Sequence, residues 1–195
     1  MSRRRAGDPA WDATFGGRVS FTGSVGVDEE REFEAFVVAD GDRLIRFARL
    51  LFLDNGAAED AVQIALTRTA QRWKAAQSAP YPYVRAAIVN LARDEGRRRH
   101  RREPPVDVRD RDVAAVVDHA DAIASRAELD DLLALLPARQ RATVVLRVLD
   151  GLSEAEAAQV LACSTGTVKS NLSRGLQHLR SHMYRDNVTE VTCHD

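Results

Sequence analysis

Apolar residues along this chain recur at steps of three and four, the spacing that places them on one face of an α-helix. The pattern begins near Glu29, is interrupted at Asp40–Gly41 and stops at the turn Asp54–Gly56. It resumes over Ala57–Ala75 and again from Val84, after a segment that contains prolines. The sequence shows no sustained alternation of apolar and polar residues, which is typical of a half-exposed strand. We therefore predict an all-α fold.

A break at Glu103–Pro105 divides the chain, because proline lacks a backbone donor and excludes the residue before it from helical geometry. An aspartate-rich segment follows, and helical spacing then returns from Leu129 to Leu149, ending at Asp150–Gly151. The pattern predicts two small helical domains joined by a flexible linker. The predicted divisions are a flexible leader over residues 1–27, a helical domain over 28–102, an acidic linker over 103–122, a second helical domain over 123–185 and an acidic tail over 186–195.

Residues 150–180 read as a helix, a tight turn and a second helix. Ser153 and Glu156 have the spacing of a capping box at the first helix, and Ser164 can cap the second. Apolar residues from Val168 to Leu179 line one face of that second helix. The opposite face is polar and basic, and it carries no carboxylate. Such a helix fits the DNA major groove, whereas the alternative is an ordinary amphipathic helical hairpin.

Opposite charges are segregated along the chain, although the formal net charge is only −1. Residues 28–71 hold five basic and ten acidic side chains, whereas residues 72–102 hold nine basic and two acidic ones. Residues 163–185 hold four basic side chains and no acidic one. Two basic patches of this kind attract a polyphosphate backbone, and the alternative is a pair of solvated helix faces.

Membrane insertion and secretion are not predicted. The longest uncharged run, Ala157–Val168, is far shorter than the roughly 18 to 20 apolar residues that span a bilayer. Arg3–Arg5 are not followed by the apolar stretch of a secretory signal, so we expect a cytoplasmic protein. Cys163 and Cys193 are too few for a disulfide framework. We expect Cys163 to be a small buried thiol, and a redox switch with Cys193 is the alternative.

Enzymatic motifs are missing from the sequence. It has no Gly-rich phosphate loop, no HExxH, no paired CxxC and no nucleophile elbow. The five histidines are scattered, and Cys193–His194 would supply only two ligands to a metal. We therefore expect no catalytic residues, no metal site and no cofactor.

Five short motifs carry a resemblance to a known family. They are Ala58–Gln63, Arg72–Trp73, Val89–Asp94, Leu136–Arg141 and Gly166–Ser170. In this order and spacing the chain resembles the extracytoplasmic-function (ECF) group of bacterial sigma-70 family factors, with residues 29–102 similar to region 2 and residues 126–182 to region 4. The resemblance implies a promoter-specificity subunit that binds core RNA polymerase and promoter DNA and directs transcription initiation. It also admits an anti-sigma factor as a partner.

The resemblance further implies roles for individual residues. Contacts to the minus-35 element are expected from Ser164, Thr165, Thr167, Lys169, Ser170, Ser173 and Arg174. Contacts to the minus-10 element are expected from Trp73, Tyr81, Asn90, Arg97 and Arg98. Asp60 and Gln63 are expected to contact core polymerase, with a solvated helix face as the alternative. An aromatic ring near a basic helix can stack on an extruded base, although for Trp73 core packing is the favoured role.

The competing function is that of a stand-alone helix-turn-helix regulator. Such a protein would bind duplex DNA through residues 150–180 and use its first domain to sense a ligand or to dimerise. The first domain discriminates between the two functions, because a helix that ends in arginines after an aromatic loop suits promoter opening better than a ligand pocket.

Overall fold

The computed structural model describes residues 27–102 and 128–191, and the side chains of residues 27–98 and 128–182. All regular structure in these two ranges is helical, which confirms the predicted fold class. The chain divides into two compact units, with the division between Leu91 and Ala92. Most of the predicted leader, the predicted linker and the end of the predicted tail lie outside the described residues, and the predicted domain boundaries stay predictions.

Four helices are described within residues 27–102. They are α1 (Val27–Phe52), α2 (Asn55–Ala70), the single turn α3 (Trp73–Ala76) and α4 (Pro80–Arg102), which continues beyond Leu91 into the second unit. The carboxylate of Asp54 caps α2 by accepting a 2.6 Å hydrogen bond from the backbone N–H of Ala57. Across α1 and α2, the Arg49 guanidinium donates to Glu59 Oε1 at 3.0 Å.

The predicted break at Asp40–Gly41 is wrong, because α1 runs through it without interruption. A glycine inside a helix costs about 1 kcal/mol relative to alanine. Burial of Phe36 and Leu44 on either side outweighs that cost, at roughly 1.5 to 3 kcal/mol for each large apolar side chain. Gly41 is itself buried.

The core of the first unit is formed by side chains from α1, α2 and α4. Its fully buried members include Leu44, Val62, Val84, Ile88 and Val89. The helix predicted over Ala57–Ala75 ends earlier, at Ala70, and the chain resumes as α3. This interruption brings Trp73 onto the aromatic rings of α1.

Four further helices are described within residues 128–191. They are α5 (residues 128–134), α6 (Ala138–Val144, continued by a π-helical turn over Val145–Leu149), α7 (Glu154–Leu161) and α8 (Thr165–Val191). α6 begins directly after Pro137, and it ends before Gly151, whose φ of 70° favours glycine. Within the described residues, no helix is long and apolar enough to cross a membrane.

The second unit packs α8 closely against α6. Leu133, Leu146 and Val168 are fully buried in its core. A side-chain carbon placed on Gly175 of α8 would lie 3.0 Å from Val144 Cγ2 on α6. The absence of a side chain at position 175 therefore allows the two helices to lie close together. A residue larger than glycine at position 175 would require the Val144 side chain to shift by a few tenths of an ångström.

The predicted capping box at α7 is confirmed. Ser153 Oγ accepts a 3.2 Å hydrogen bond from the Glu156 N–H, and Glu156 Oε2 accepts a 2.7 Å bond from the Ser153 N–H. These bonds satisfy two backbone donors that the first turn of a helix leaves open.

Substitution Ser153→Ala is expected to lower the free energy of unfolding of the second unit by about 1 kcal/mol, because an open donor at the helix start loses its partner. Urea unfolding followed by circular dichroism measures this change. Ser173→Ala, at an exposed position inside α8, is the matched control and is expected to cost nothing, since alanine is the better helix former. Equal loss in both variants would contradict a role for the cap.

Candidate nucleic-acid interface

The turn between α7 and α8 is short and tightly hydrogen-bonded. α7 ends at Leu161, and its C-cap Ala162 is a non-glycine residue in the left-handed conformation with φ of 48°. The Cys163 N–H then donates to the Ala158 carbonyl at 3.0 Å. Ser164 Oγ accepts from the Thr167 N–H at 3.2 Å, which confirms the predicted cap of α8. The start of α8 is therefore held at a defined angle to α7.

One side of α8 is buried and the other faces outward. Val168 is fully buried beneath the helix. The residues expected at the minus-35 element are all exposed, and they are Ser164, Thr165, Thr167, Lys169, Ser170, Ser173 and Arg174. From Thr165 to His182, α8 carries no acidic residue. This outward side, called the α8 face below, presents hydroxyl groups and cations to solvent.

Some polar groups of the α8 face are already hydrogen-bonded within the protein. The hydroxyl groups of Ser164 and Thr167 lie 2.9 Å apart, and Ser170 Oγ donates to the Thr167 carbonyl at 3.1 Å. Lys169 Nζ lies 3.3 Å from Glu154 Oε2 on α7. The sequence pattern did not reveal this ion pair, because its partners belong to different helices.

The three polar residues expected at the minus-10 element are exposed on α4. Asn90, Arg97 and Arg98 all face solvent. The guanidinium of Arg97 pairs with the carboxylate of Asp94, one turn earlier on the same helix. A DNA phosphate would have to compete with this exposed intrahelical pair, which is a weak interaction.

Trp73 is packed inside the first unit, with 4% of its surface exposed. Its ring meets Phe33 edge-on at 5.3 Å between centroids and lies 5.9 Å from the ring of Phe36. The indole N–H donates to Glu32 Oε2 at 3.3 Å. This geometry favours the core role, and stacking on a base, which would require the ring to leave its neighbours, stays a prediction.

Tyr81 is also largely enclosed, with 9% of its surface exposed. The guanidinium of Arg43 lies 3.9 Å from the ring centroid, and that of Arg85 lies 5.9 Å from it. Neither arginine was singled out from the sequence. Arg85 could have been found from its spacing of four residues from Tyr81, whereas Arg43 lies on α1 and has no local signal. The stacking role of Tyr81 stays a prediction.

The outward side of α2 carries the residues expected to bind polymerase. Asp60 and Gln63 are both exposed, whereas Val62 and Leu66 are buried beneath them. Ile64 is 42% exposed and lies one turn from Asp60, so the surface combines polar and apolar groups. A single exposed apolar residue is normal on a protein surface, so the contact of Asp60 and Gln63 with polymerase stays a prediction.

No group of three or more histidine, cysteine, aspartate or glutamate side chains suited to a metal ion occurs in the described part of the chain. Cys163 is half-buried and carries a free thiol. Cys193, its partner in the alternative redox switch, lies outside the described residues.

Comparisons with known proteins identify the family. The family model described as "Sigma-70, region 4" matches residues 126–179, which include α6, α7 and the first half of α8. The RNA polymerase sigma-E factor of Streptomyces avermitilis is 38% identical over 157 residues, covering 80% of this chain and 87% of that protein. The ECF RNA polymerase sigma factor SigC of Mycobacterium tuberculosis is 30% identical over 167 residues, covering 82% of this chain and 87% of that protein.

Two solved structures share the fold. The sigma factor RpoE of Bartonella quintana, in complex with the anti-sigma factor NepR, has a TM-score of 0.59 at 24% identity and covers 79% of this chain and 98% of that one. CnrH, in complex with the cytosolic domain of CnrY, has a TM-score of 0.58 at 22% identity and covers 80% of this chain and 90% of that one. Together with the sequence relatives, these findings establish that the chain belongs to the ECF group of sigma-70 family RNA polymerase sigma factors.

Proposed function

We propose that this sigma factor binds core RNA polymerase and directs initiation by reading the minus-35 element through the α8 face and the minus-10 element through α4. The observation that carries the proposal is the α8 face itself. It lies above the buried Val168 and has no acidic residue between Thr165 and His182. A helix with this surface can enter the major groove without repelling phosphate.

Two kinds of side chain, hydroxyl groups and cations, would read the minus-35 element. The hydroxyl groups of Thr165, Thr167 and Ser170 lie in the first two turns of α8, the part of a recognition helix that reaches base edges. Lys169 and Arg174 bring positive charge, which suits phosphate or guanine. The turn that caps α8 at Ser164 would hold this register against the duplex.

Reading of the minus-10 element is proposed for exposed polar groups of α4. Asn90 can donate to and accept from a base edge, and Arg97 and Arg98 can bind phosphate oxygens. Trp73 and Tyr81 are buried in the first unit and would contact DNA only if promoter opening released their rings. On this proposal the protein positions nucleic acid and polymerase and carries out no chemical step of its own.

An anti-sigma factor is a further proposed partner. The solved structures of RpoE and CnrH each contain a bound protein, named an anti-sigma factor in the first case. We propose that a protein of that class also binds this chain.

Co-elution with core RNA polymerase on a sizing column, at moderate salt, tests the proposal. One-to-one co-elution, followed by promoter-specific transcription with the reconstituted enzyme, is the expected result. A stand-alone regulator would instead bind promoter duplex tightly and specifically without polymerase. That outcome, together with failure of the folded chain to co-elute, would overturn the proposal.

The α2 surface is expected to contribute directly to this association. The double variant Asp60→Ala/Gln63→Ala removes two exposed polar contacts without touching the buried Val62 and Leu66. At about 1 kcal/mol per lost contact, we expect affinity for core polymerase to fall roughly tenfold or more. Fluorescence titration of labelled protein with core enzyme measures this affinity. Gln77→Ala, an exposed amide outside α2, is the control, and unchanged affinity in the double variant would remove this surface from the interface.

A further inference from the structure

An ion pair connects the helix α7 to the α8 face. Lys169 Nζ lies 3.3 Å from Glu154 Oε2, with the two side chains 65% and 40% exposed. Glu154 stands in the first turn of α7, directly after the capping residue Ser153. The neighbouring Glu156 belongs to the capping box, in which its Oε2 accepts a hydrogen bond from the Ser153 N–H.

The pair places negative charge next to a surface that otherwise lacks it. Since α8 has no acidic residue from Thr165 to His182, the carboxylate beside Lys169 comes from α7. A phosphate that approaches Lys169 would meet both a cation that is already paired and a carboxylate that repels it. Both effects lower attraction to DNA of any sequence.

We propose that Glu154 is a positioning residue that holds Lys169 away from the phosphate backbone and thereby weakens sequence-independent DNA binding. This inference rests on the proposed function, in which the α8 face meets DNA. Glu154 would therefore help the protein to discriminate promoter DNA from DNA of other sequence. A duplex that offers only phosphate contacts gains little binding free energy from Lys169 while the Glu154–Lys169 pair persists. Exposed ion pairs are weak enough to be given up when further contacts form.

If Glu154 had a purely structural role, its substitution would have different effects. An acidic residue in the first turn stabilises a helix through its dipole, so its loss would lower stability slightly. Such a role would leave the salt dependence of DNA binding unchanged. The salt dependence counts phosphate contacts, at a slope of about 0.9 in log K against log salt for each contact on duplex DNA.

The test uses the full chain and a fluorescent random-sequence duplex of about 30 base pairs, titrated at several KCl concentrations. We expect Glu154→Gln to bind about two- to fivefold more tightly and to have a salt slope steeper by about 0.9. Lys169→Ala is expected to bind more weakly than the unsubstituted protein. In the Lys169→Ala background, Glu154→Gln is expected to give a clearly smaller gain, because only the repulsion between the carboxylate and phosphate is then relieved. Glu128→Gln, at an exposed position on α5, makes the same change in net charge and is the control.

Three outcomes would overturn the inference: an unchanged salt slope in Glu154→Gln, an equal gain in the Lys169→Ala background, or an equal gain in Glu128→Gln. The last two would mean that net charge alone raises affinity. Failure of the proposed function has a separate signature, namely promoter-dependent transcription that survives loss of the cations on the α8 face.

Discussion

Replacing Lys169 and Arg174 together by alanine is expected to reduce promoter-dependent transcription by about 30-fold or more. Both side chains are exposed on the α8 face, and each contact to a base or phosphate is worth about 1 to 3 kcal/mol. The substitutions leave the buried Val168 and the close approach at Gly175 untouched, so the fold of the second unit should persist. Transcription in vitro at limiting sigma factor, from a promoter selected with the unsubstituted holoenzyme, measures the loss.

The control for this experiment removes the same charge elsewhere. Arg31 and Arg46 are exposed on α1, and their joint replacement by alanine also lowers the net charge by two. That variant should transcribe normally if the effect belongs to the α8 face. Co-elution of Lys169→Ala/Arg174→Ala with core polymerase should be intact, and an equal loss of core binding would contradict the assignment of promoter recognition to this face.

The second large effect is expected at Trp73. Substitution Trp73→Ala removes a side chain that packs on Phe33 and Phe36, so we expect the free energy of unfolding of the first unit to fall by about 3 to 5 kcal/mol. Trp73→Phe keeps an aromatic ring there but loses the hydrogen bond to Glu32, and its cost should be smaller. Urea unfolding followed by circular dichroism measures both variants.

The same pair of variants separates core packing from a direct DNA role. If packing is the role of Trp73, stability, core-polymerase binding and transcription should fall together in Trp73→Ala and recover together in Trp73→Phe. If the ring instead stacks on an extruded base, transcription would drop in Trp73→Ala while the unfolding curve stayed in place. The second result would support the predicted contact of Trp73 with the minus-10 element.

Helix starts were predictable because their signals are local. Ser153 and Glu156 are three residues apart, and the hydrogen bonds between them involve one turn of backbone. Ser164 caps α8 in the same way. The outward orientation of Lys169 and Arg174 likewise follows from the apolar period of the same helix.

Predictions were wrong where the structure depends on packing between residues that are far apart in the sequence. Asp40–Gly41 has the local composition of a break, yet α1 continues because the buried side chains on both sides of it pack against other helices. The shorter α2 and the separate turn α3 also depend on packing, since the interruption brings Trp73 to the rings of α1. Local propensity is worth about 1 kcal/mol at such a position, less than the tertiary burial that opposes it.

By itself, the sequence determined that the chain is helical, where α7 and α8 are capped, and which side of α8 is free of carboxylates, because each of these properties is encoded within a few turns of one helix. Only the tertiary structure decided that Trp73 and Tyr81 are enclosed and that Glu154 pairs with Lys169. These outcomes depend on which side chains approach from other helices, and no periodicity within a single helix specifies those distances.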